Sequence, residues 1–550
     1  MSAPPPSFSI QRTVQIKITG RTGRAIQIAP DFWLLGTAYD GAQKCRPDEL
    51  RKQFLACASR AAMESLARRL GGFFSLVFRQ ADGRVFAITD RGRTRPLLYV
   101  NEPGCFTISD EPQELLRVLS EPKLDPLAAA EFATAGFVSG DRTLIEGIQS
   151  VGPATILQCD PDGAITTACY REFVPNLASA DPDGFETHIE QLETALRQSV
   201  ERLLDYAGGR TLVLPLSGGV DSRALLASLV ALGHKNIKAF TFGRALSRDY
   251  QVGAELAAAA RVPFKTITYN KSRWRAVWGD PDFDRYLRHA HSFTSVPNLQ
   301  AIPALFELRK SGWIEPDAVF VPALAGFFPG GCLPSAVTVA RIVGHAKVLD
   351  DERLEDVLMQ RHFRTTNLKR IRPELRTRFR ERLGSLAVAH PSLSAASPAE
   401  RVTLLSEAFQ YHERQAKFIG NACRYFDSQG YDWWLPMWDS EFITACESLP
   451  VDLRREKQLL KVLTLRLERR YPGMVGVPPA FVANGGLIRN ARLRALTGYF
   501  LDPFGQFAVV PFTEWFARVY GRTASGGTVI DVLSQRCLRD VSAMLHSSLG

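Results

Sequence analysis

The chain has 550 residues, 45% of them hydrophobic and 23% charged, which is ordinary for a soluble globular protein and long enough for two or three domains. Nine scattered cysteines, odd in number and without a Cys-x-x-Cys pair, argue against a disulfide framework or a zinc cluster and point to a reducing, cytoplasmic setting. The N-terminal MSAPPPSFSI has no secretory pattern, no apolar run approaches a membrane span, and the net charge of +10 is mostly arginine spread along the chain. Neither a membrane nor a nucleic-acid partner is expected.

Residues 1 to about 170 read as β-rich. The runs QRTVQIKITG, FFSLVFRQADGRVFAITD and PATILQCDPDGAITTACY alternate or are apolar, and ADGR (81–84) and PDGA (161–164) mark hairpins. NLASADPDG (176–184) reads as a linker, and a long helix is predicted over 185–207 from Ile189, Leu192, Ala195 and Leu196. A strand over Leu212–Leu216 follows, then a helix over Arg223–Leu232 and a strand over Ile237–Phe242. A helix over Asp249–Ala260 and a strand over Phe264–Tyr269 complete the alternation. This order predicts an α/β, doubly wound parallel sheet, with ligands at the carboxyl ends of its strands. Residues 280–550 read as mainly helical.

Between the first strand and its helix lies LSGGVDS, Leu216 to Ser222. Gly218 and Gly219 permit a sharp turn, and free amides at a helix N-terminus form an anion site. No Lys-Ser/Thr follows, so this is not a Walker A loop. Asp221 would repel a phosphate directly; it makes sense either with Mg²⁺ between them or as a structural helix cap.

S-G-G-x-D-S after a strand resembles the pyrophosphate loop of the ATP-pyrophosphatase superfamily, which cleaves ATP between its α and β phosphates. GGFFSLVFRQADGRVFAITDRGRTRPLLY (71–99) and GFVSGDRTLIEGIQSVGPATIL (136–157) resemble the glutaminase-like domain of asparagine synthetases. YDWWLPMWDSEFITACESLP with REKQLLK (431–461) resembles their synthetase domain. The resemblance implies an N-terminal αββα glutaminase-like domain (1–175) and a synthetase-like domain (185–550). ATP and Mg²⁺ would be bound at Leu216, Ser217, Gly218, Gly219, Val220, Asp221 and Ser222, with Thr241 and Phe242 of AFTFG beside the adenosine. Asp221 would be the metal ligand, and Lys457, matching the family's Lys-x-x-Leu element, would steady developing charge; a solvated or ion-paired helix lysine is the alternative.

Position 2 is Ser2, where a glutamine-using synthetase needs a nucleophilic cysteine, so the first domain is expected to be a degenerate scaffold. HERQAKFIGNACRYFDSQGYDWWLPMWD (412–439) looks closest to the peptide-directed branch, the lasso-peptide cyclases, near β-lactam synthetases. Its aromatic residues (Tyr425, Phe426, Tyr431, Trp433, Trp434, Trp438) suit either a core or a pocket wall. Where the family carries a second metal-binding acid, VFVPALAGFFPGGCLP has Phe327, and VGVPPAFVANGG (475–486) lacks the family's late lysine. The basic stretch from Arg361 to Arg382 suits a solvated face or an acidic partner. The expected function is an AMP-forming amide ligase in antimicrobial peptide biosynthesis. It would act on a peptide or small molecule carrying carboxylate and amine, with a maturation protease as partner. The alternatives are asparagine synthesis from ammonia and a nucleotide-binding homologue that catalyses nothing.

Overall fold

A computed structural model of the chain describes residues 13–20, 25–243, 248–324, 326–344, 351–363, 372–471, 473–474, 477 and 529–548. The β-rich first part folds into two stacked sheets. One orders the strands Ile165–Cys169, Thr155–Cys159, Val85–Thr89, Leu70–Arg79, Phe32–Asp40 and Ala25–Ala29, each antiparallel to its neighbours. The other orders Thr13–Lys17, Cys105–Ser109, Leu98–Glu102 and Ile148–Ser150. The strand period of two decides the layers. Leu35, Val77 and Ala87 meet Tyr99, Phe106 and Ile108 between the sheets. Leu34, Leu76, Phe78 and Ile88 turn the other way, onto Leu50, Phe54, Met63 and Leu66 of the helices Pro47–Leu55 and Arg60–Arg69. Leu98 and Val100 turn outward onto Leu115, Leu116 and Phe132 of the helices Pro112–Leu116 and Pro126–Ala135. The outcome is an αββα sandwich. Both hairpins form where expected, with Gly83 (φ +88°) and Gly163 (φ +95°) in the left-handed turn positions that a Cβ disfavours.

Residues 176–184 do not run free between the units. The Asn176 N–H donates to the Glu447 carbonyl, and the Val451 N–H donates to the Ala178 carbonyl. The helix Phe185–Ala207 then buries Ile189, Leu192, Leu196, Val200 and Leu203, each burial contributing about 1.5–3 kcal/mol. Five parallel strands follow in the spatial order Phe264–Thr268, Ile237–Gly243, Leu212–Pro215, Val319–Phe320, Asp432–Trp433. The first of these in sequence is therefore central, with later strands added on both sides. A helical lobe with its own core of Leu354, Leu358, Phe379 and Phe409 is inserted before the last strand. The aromatic residues from Tyr425 to Trp438 are all buried in the main core, so they are core rather than pocket wall.

The two units are tied by buried charges. Arg91 pairs with Glu447 at 2.5 Å, and Arg95 lies 4.1 Å over the Trp433 ring. Arg93, 1% exposed, donates to Ser150 Oγ and to the carbonyls of Val151 and Ala416. In the 412–439 segment Lys417 donates to the carbonyls of Val138 and Gly140 in the sandwich and to Glu413. The helix Val529–Ser548 bridges both units: Cys537 and Val541 pack with Phe132, and the Arg536 guanidinium lies over Trp278.

Candidate functional site

The central position of Leu212–Pro215 makes its carboxyl end the point where the chain's connections diverge to opposite sides, the usual crevice for a ligand in such sheets. LSGGVDS sits there. The expected helix start at Arg223 moves forward to Val220, because Gly219 takes the extended capping conformation (φ −74°, ψ 150°). Asp221 is thus not the helix cap; it lies in the first turn. The amides of that turn have no acceptor within the helix, which makes the helix N-terminus a place for an anion. The loop is preformed by its own hydroxyls. Ser222 Oγ accepts from the Ser217 N–H at 3.2 Å and lies 3.2 Å from Ser217 Oγ, which accepts from the Gly219 N–H at 3.2 Å. Leu216 and Val220 are buried in the core and can offer a ligand only backbone.

Two further devices hold the helix in place. Arg223, fully buried, pairs with both oxygens of Glu468 at 2.7 and 2.8 Å, tying the loop's helix to Gln458–Arg469. Gly253 allows the helix Arg248–Ala259 to touch the loop's root: a Cβ there would stand 2.9 Å from the Leu216 carbonyl oxygen. Neither is legible in the local sequence, although the glycine in an otherwise alanine-rich helix is a visible signal. On the adjoining strand Thr241 is buried, and Phe242 stacks on Tyr269 at 5.3 Å.

The structure brings the two candidate catalytic residues together across 236 positions. Lys457 Nζ donates to Asp221 Oδ2 at 2.6 Å. The other carboxylate oxygen, Oδ1, is buried with no hydrogen-bond partner among the described residues. Lys457 is thus an ion-paired lysine, and its partner is the candidate metal ligand. The loop after Val319–Phe320 arrives at the same point. Phe327 does not face it: its ring packs on Phe173, Phe328 and Tyr411. The position that does face it is Gly326, where a Cβ would lie 3.5 Å from Lys457 Nζ and 4.0 Å from Asp221 Oδ2.

The donor set fits a magnesium ion only in part. Among the described residues no group of three His, Cys, Asp or Glu gathers anywhere that could hold a metal. Mg²⁺ is commonly held by one or two carboxylates, with phosphates and waters completing its octahedron. Asp221 Oδ1 is one oxygen that could be offered, so the site would suit an ion arriving with a polyphosphate and not one held by protein alone. The described residues also outline an open cavity of about 680 Å³ between Arg68, Arg171, Gln191 and Thr444, which no loop residue lines.

In the basic stretch, Arg376 and Arg380 pair with Glu355, Arg378 with Asp125, and Arg382 with Glu413. Arg376, Arg378 and Arg382 are thus committed within the molecule, while Arg380 stays largely exposed. The side chain of Arg361, residues 364, 369 and 370, Ser2, and residues 475, 476 and 478–486 lie outside those described. All nine cysteines are free thiols. Among the described residues no helix is long and apolar enough to cross a membrane.

No family model matches the chain. It is similar to a protein of Bacillus subtilis (strain 168), asparagine synthetase [glutamine-hydrolyzing] 1, with 23% identity over 219 residues. The likeness covers 39% of this chain and spans 33% of that protein's length. A sandwich of one antiparallel and one mixed sheet beside a parallel-sheet unit, the α/β fold class expected from sequence, is what that likeness accompanies here.

Proposed function

We propose that the protein is an ATP-dependent ligase that adenylates a substrate carboxylate and passes the acyl group to an amine. The observation that carries this reading is the meeting of Asp221 with Lys457 beside the first-turn amides of Val220–Ala231. The partial likeness to an asparagine synthetase supports it. The amides and the positive end of the helix favour the phosphates of ATP. A carboxylate oxygen bonds to the α-phosphorus as the bond to the bridging oxygen breaks, and pyrophosphate leaves with that electron pair. The amine nitrogen then attacks the acyl carbon and loses a proton, and AMP departs. Lys457 offsets the negative charge that builds on the phosphates and the departing oxygen. Asp221 Oδ1 would hold Mg²⁺, which would supply neutralisation of the phosphate charge.

We infer further that acid and amine lie on one peptide, closed into a macrolactam as in lasso-peptide biosynthesis, with a maturation protease acting on the same peptide. Arg91, Arg93 and Arg95 are committed to groups of the protein itself, which suits a sandwich that serves as scaffold. Holding the two ends of one chain together is worth roughly 7–11 kcal/mol at best, which is where most of the rate would arise.

A second reading is a nucleotide-binding homologue without catalysis. It is favoured by Asp221 Oδ2 already having a cation and by Phe327 being turned into the core. The two part on one experiment: purified protein is incubated with Mg-ATP and candidate peptides, with pyrophosphate and the peptide's mass as readouts. Pyrophosphate with loss of one water from the peptide supports the ligase. Asparagine from aspartate and ammonia would place it with free-ammonia synthesis. Nucleotide binding with no pyrophosphate from any acid would leave the binding reading.

A further inference from the structure

Lys457 stands in an unusual piece of backbone. It is the capping residue of the helix Gln458–Arg469, a position that favours Ser, Thr, Asp or Asn in extended conformation with a side-chain cap. Here it is a lysine in the left-handed region (φ +59°, ψ +36°) with no cap, and Glu456 before it is left-handed too (φ +53°). Two successive non-glycine residues in that region violate the local preference, and such violations persist only when the surroundings impose them.

The surroundings that impose this one are visible. Arg454, fully buried, opens the turn. Its guanidinium pairs with Glu407 at 2.5 Å and donates to the carbonyls of Leu449 and Asn176. One side chain thus ties the helical lobe, the segment between the two units and the turn itself. Its backbone carbonyl is packed against Gly330, where φ is +97° and a Cβ would overlap that oxygen. A Cβ on Gly331 would overlap Lys457 Cε and the Gly326 carbonyl oxygen. The glycine pair lets the 326–331 loop lie directly on both ends of the turn, and the lysine side chain runs past Gly331 to Asp221.

We propose that the Arg454–Glu407 pair and the Gly330–Gly331 seat act as positioning residues that hold Lys457 in its left-handed conformation and set its ammonium on Asp221. Arg454 touches no reacting atom; it acts through Lys457. The arrangement also makes the placement of Lys457 depend on the helical lobe and on the junction at Asn176. This assignment rests on Lys457 serving the nucleotide site, but its first test does not.

The test is lysine acylation of the full-length protein by a small amine-reactive ester, followed residue by residue with mass spectrometry. In the wild type Lys457 is expected to react slowly, since its ammonium is paired and its side chain only 18% exposed. Glu407→Gln and Gly331→Ala are expected to speed its acylation about tenfold, which corresponds to a loss of 1.4 kcal/mol in the contact. Lysines elsewhere should keep their rates, and so should Lys457 in Arg376→Gln, which breaks an ion pair within the helical lobe. If Glu407→Gln does not fold, Gly331→Ala decides alone. An unchanged Lys457 rate in a folded Gly331→Ala variant overturns the proposal. A second arm adds Mg-ATP. Protection of Lys457 that weakens in the variants supports both the positioning and the nucleotide site. Faster acylation in the variants with no protection by Mg-ATP upholds the positioning and removes the nucleotide reading.

Discussion

Deleting the Lys457 ammonium in two ways separates its ion pair from its backbone. Both Lys457→Ala and Lys457→Gly remove the 2.6 Å contact with Asp221 and leave that carboxylate without a described partner. The pair is 17–18% exposed on both sides, between the surface case and the fully buried one, so its loss should cost about 2 kcal/mol. The backbone term differs. A left-handed residue with a Cβ costs roughly 1–2 kcal/mol, which glycine avoids, and glycine is also the better capping residue. Lys457→Gly should therefore lose only about half of what Lys457→Ala loses, a gap of about 1 kcal/mol. Urea unfolding followed by tryptophan fluorescence reads this, since Trp433, Trp434 and Trp438 are buried in the core of the same unit. The midpoints should rank wild type, then glycine, then alanine, at equal slope. A glycine variant no more stable than the alanine variant refutes the argument that this turn is held against its own preference.

Arg223→Met leaves Glu468 buried and unpaired and should cost about 3–5 kcal/mol, whereas Arg223→Met with Glu468→Leu should recover most of it; denaturant midpoints decide. Gly253→Ala drives a Cβ to 2.9 Å from the Leu216 carbonyl and should lower stability by roughly 1–3 kcal/mol while weakening Mg-ATP binding, read by calorimetry. Gly326→Asp places a second carboxylate beside Asp221, and millimolar Mg²⁺ should then raise the melting temperature of the variant but not of the wild type; no Mg²⁺ effect in the variant would count against the geometry. Glu413 is fully buried, which alone would raise its pKa, but Arg382 and Lys417 outweigh burial and hold it at about 2 against an ordinary 4.5. The folded state thus binds fewer protons there than the unfolded one. Stability should fall as the pH drops from about 4.5 toward 2, by about 3 kcal/mol in total, and Glu413→Gln should flatten that part of the profile.

The sequence carried the elements because their signals are local. Apolar spacing set the helix Phe185–Ala207, and Asp-Gly pairs set both hairpins. The motif LSGGVDS marked its own place at a strand end, and the alternation of strands and helices implied a parallel sheet. The helix Val220–Ala231 starts three residues before its local sequence suggests, because a glycine without a side-chain cap leaves little trace in sequence.

Other features depend on partners far apart in the chain, which local spacing does not reveal. Local sequence marks Lys457 and Asp221 separately, but their contact spans 236 residues and requires a left-handed turn that lysine does not favour. In sequence Phe327 stands where an acid is expected; only packing shows that its ring belongs to the aromatic core and that Gly326 faces the site. Arg454, Arg223 and the arginines of the 91–95 loop look like any surface charge in one dimension, and burial makes them ties between segments. The chain by itself determined the elements from 185 to 268, the two hairpins, the loop and the candidate residues, because backbone preference and periodicity act within a few residues. The tertiary structure decided which of those residues meet and which charges are paired, because contact and desolvation depend on the whole fold.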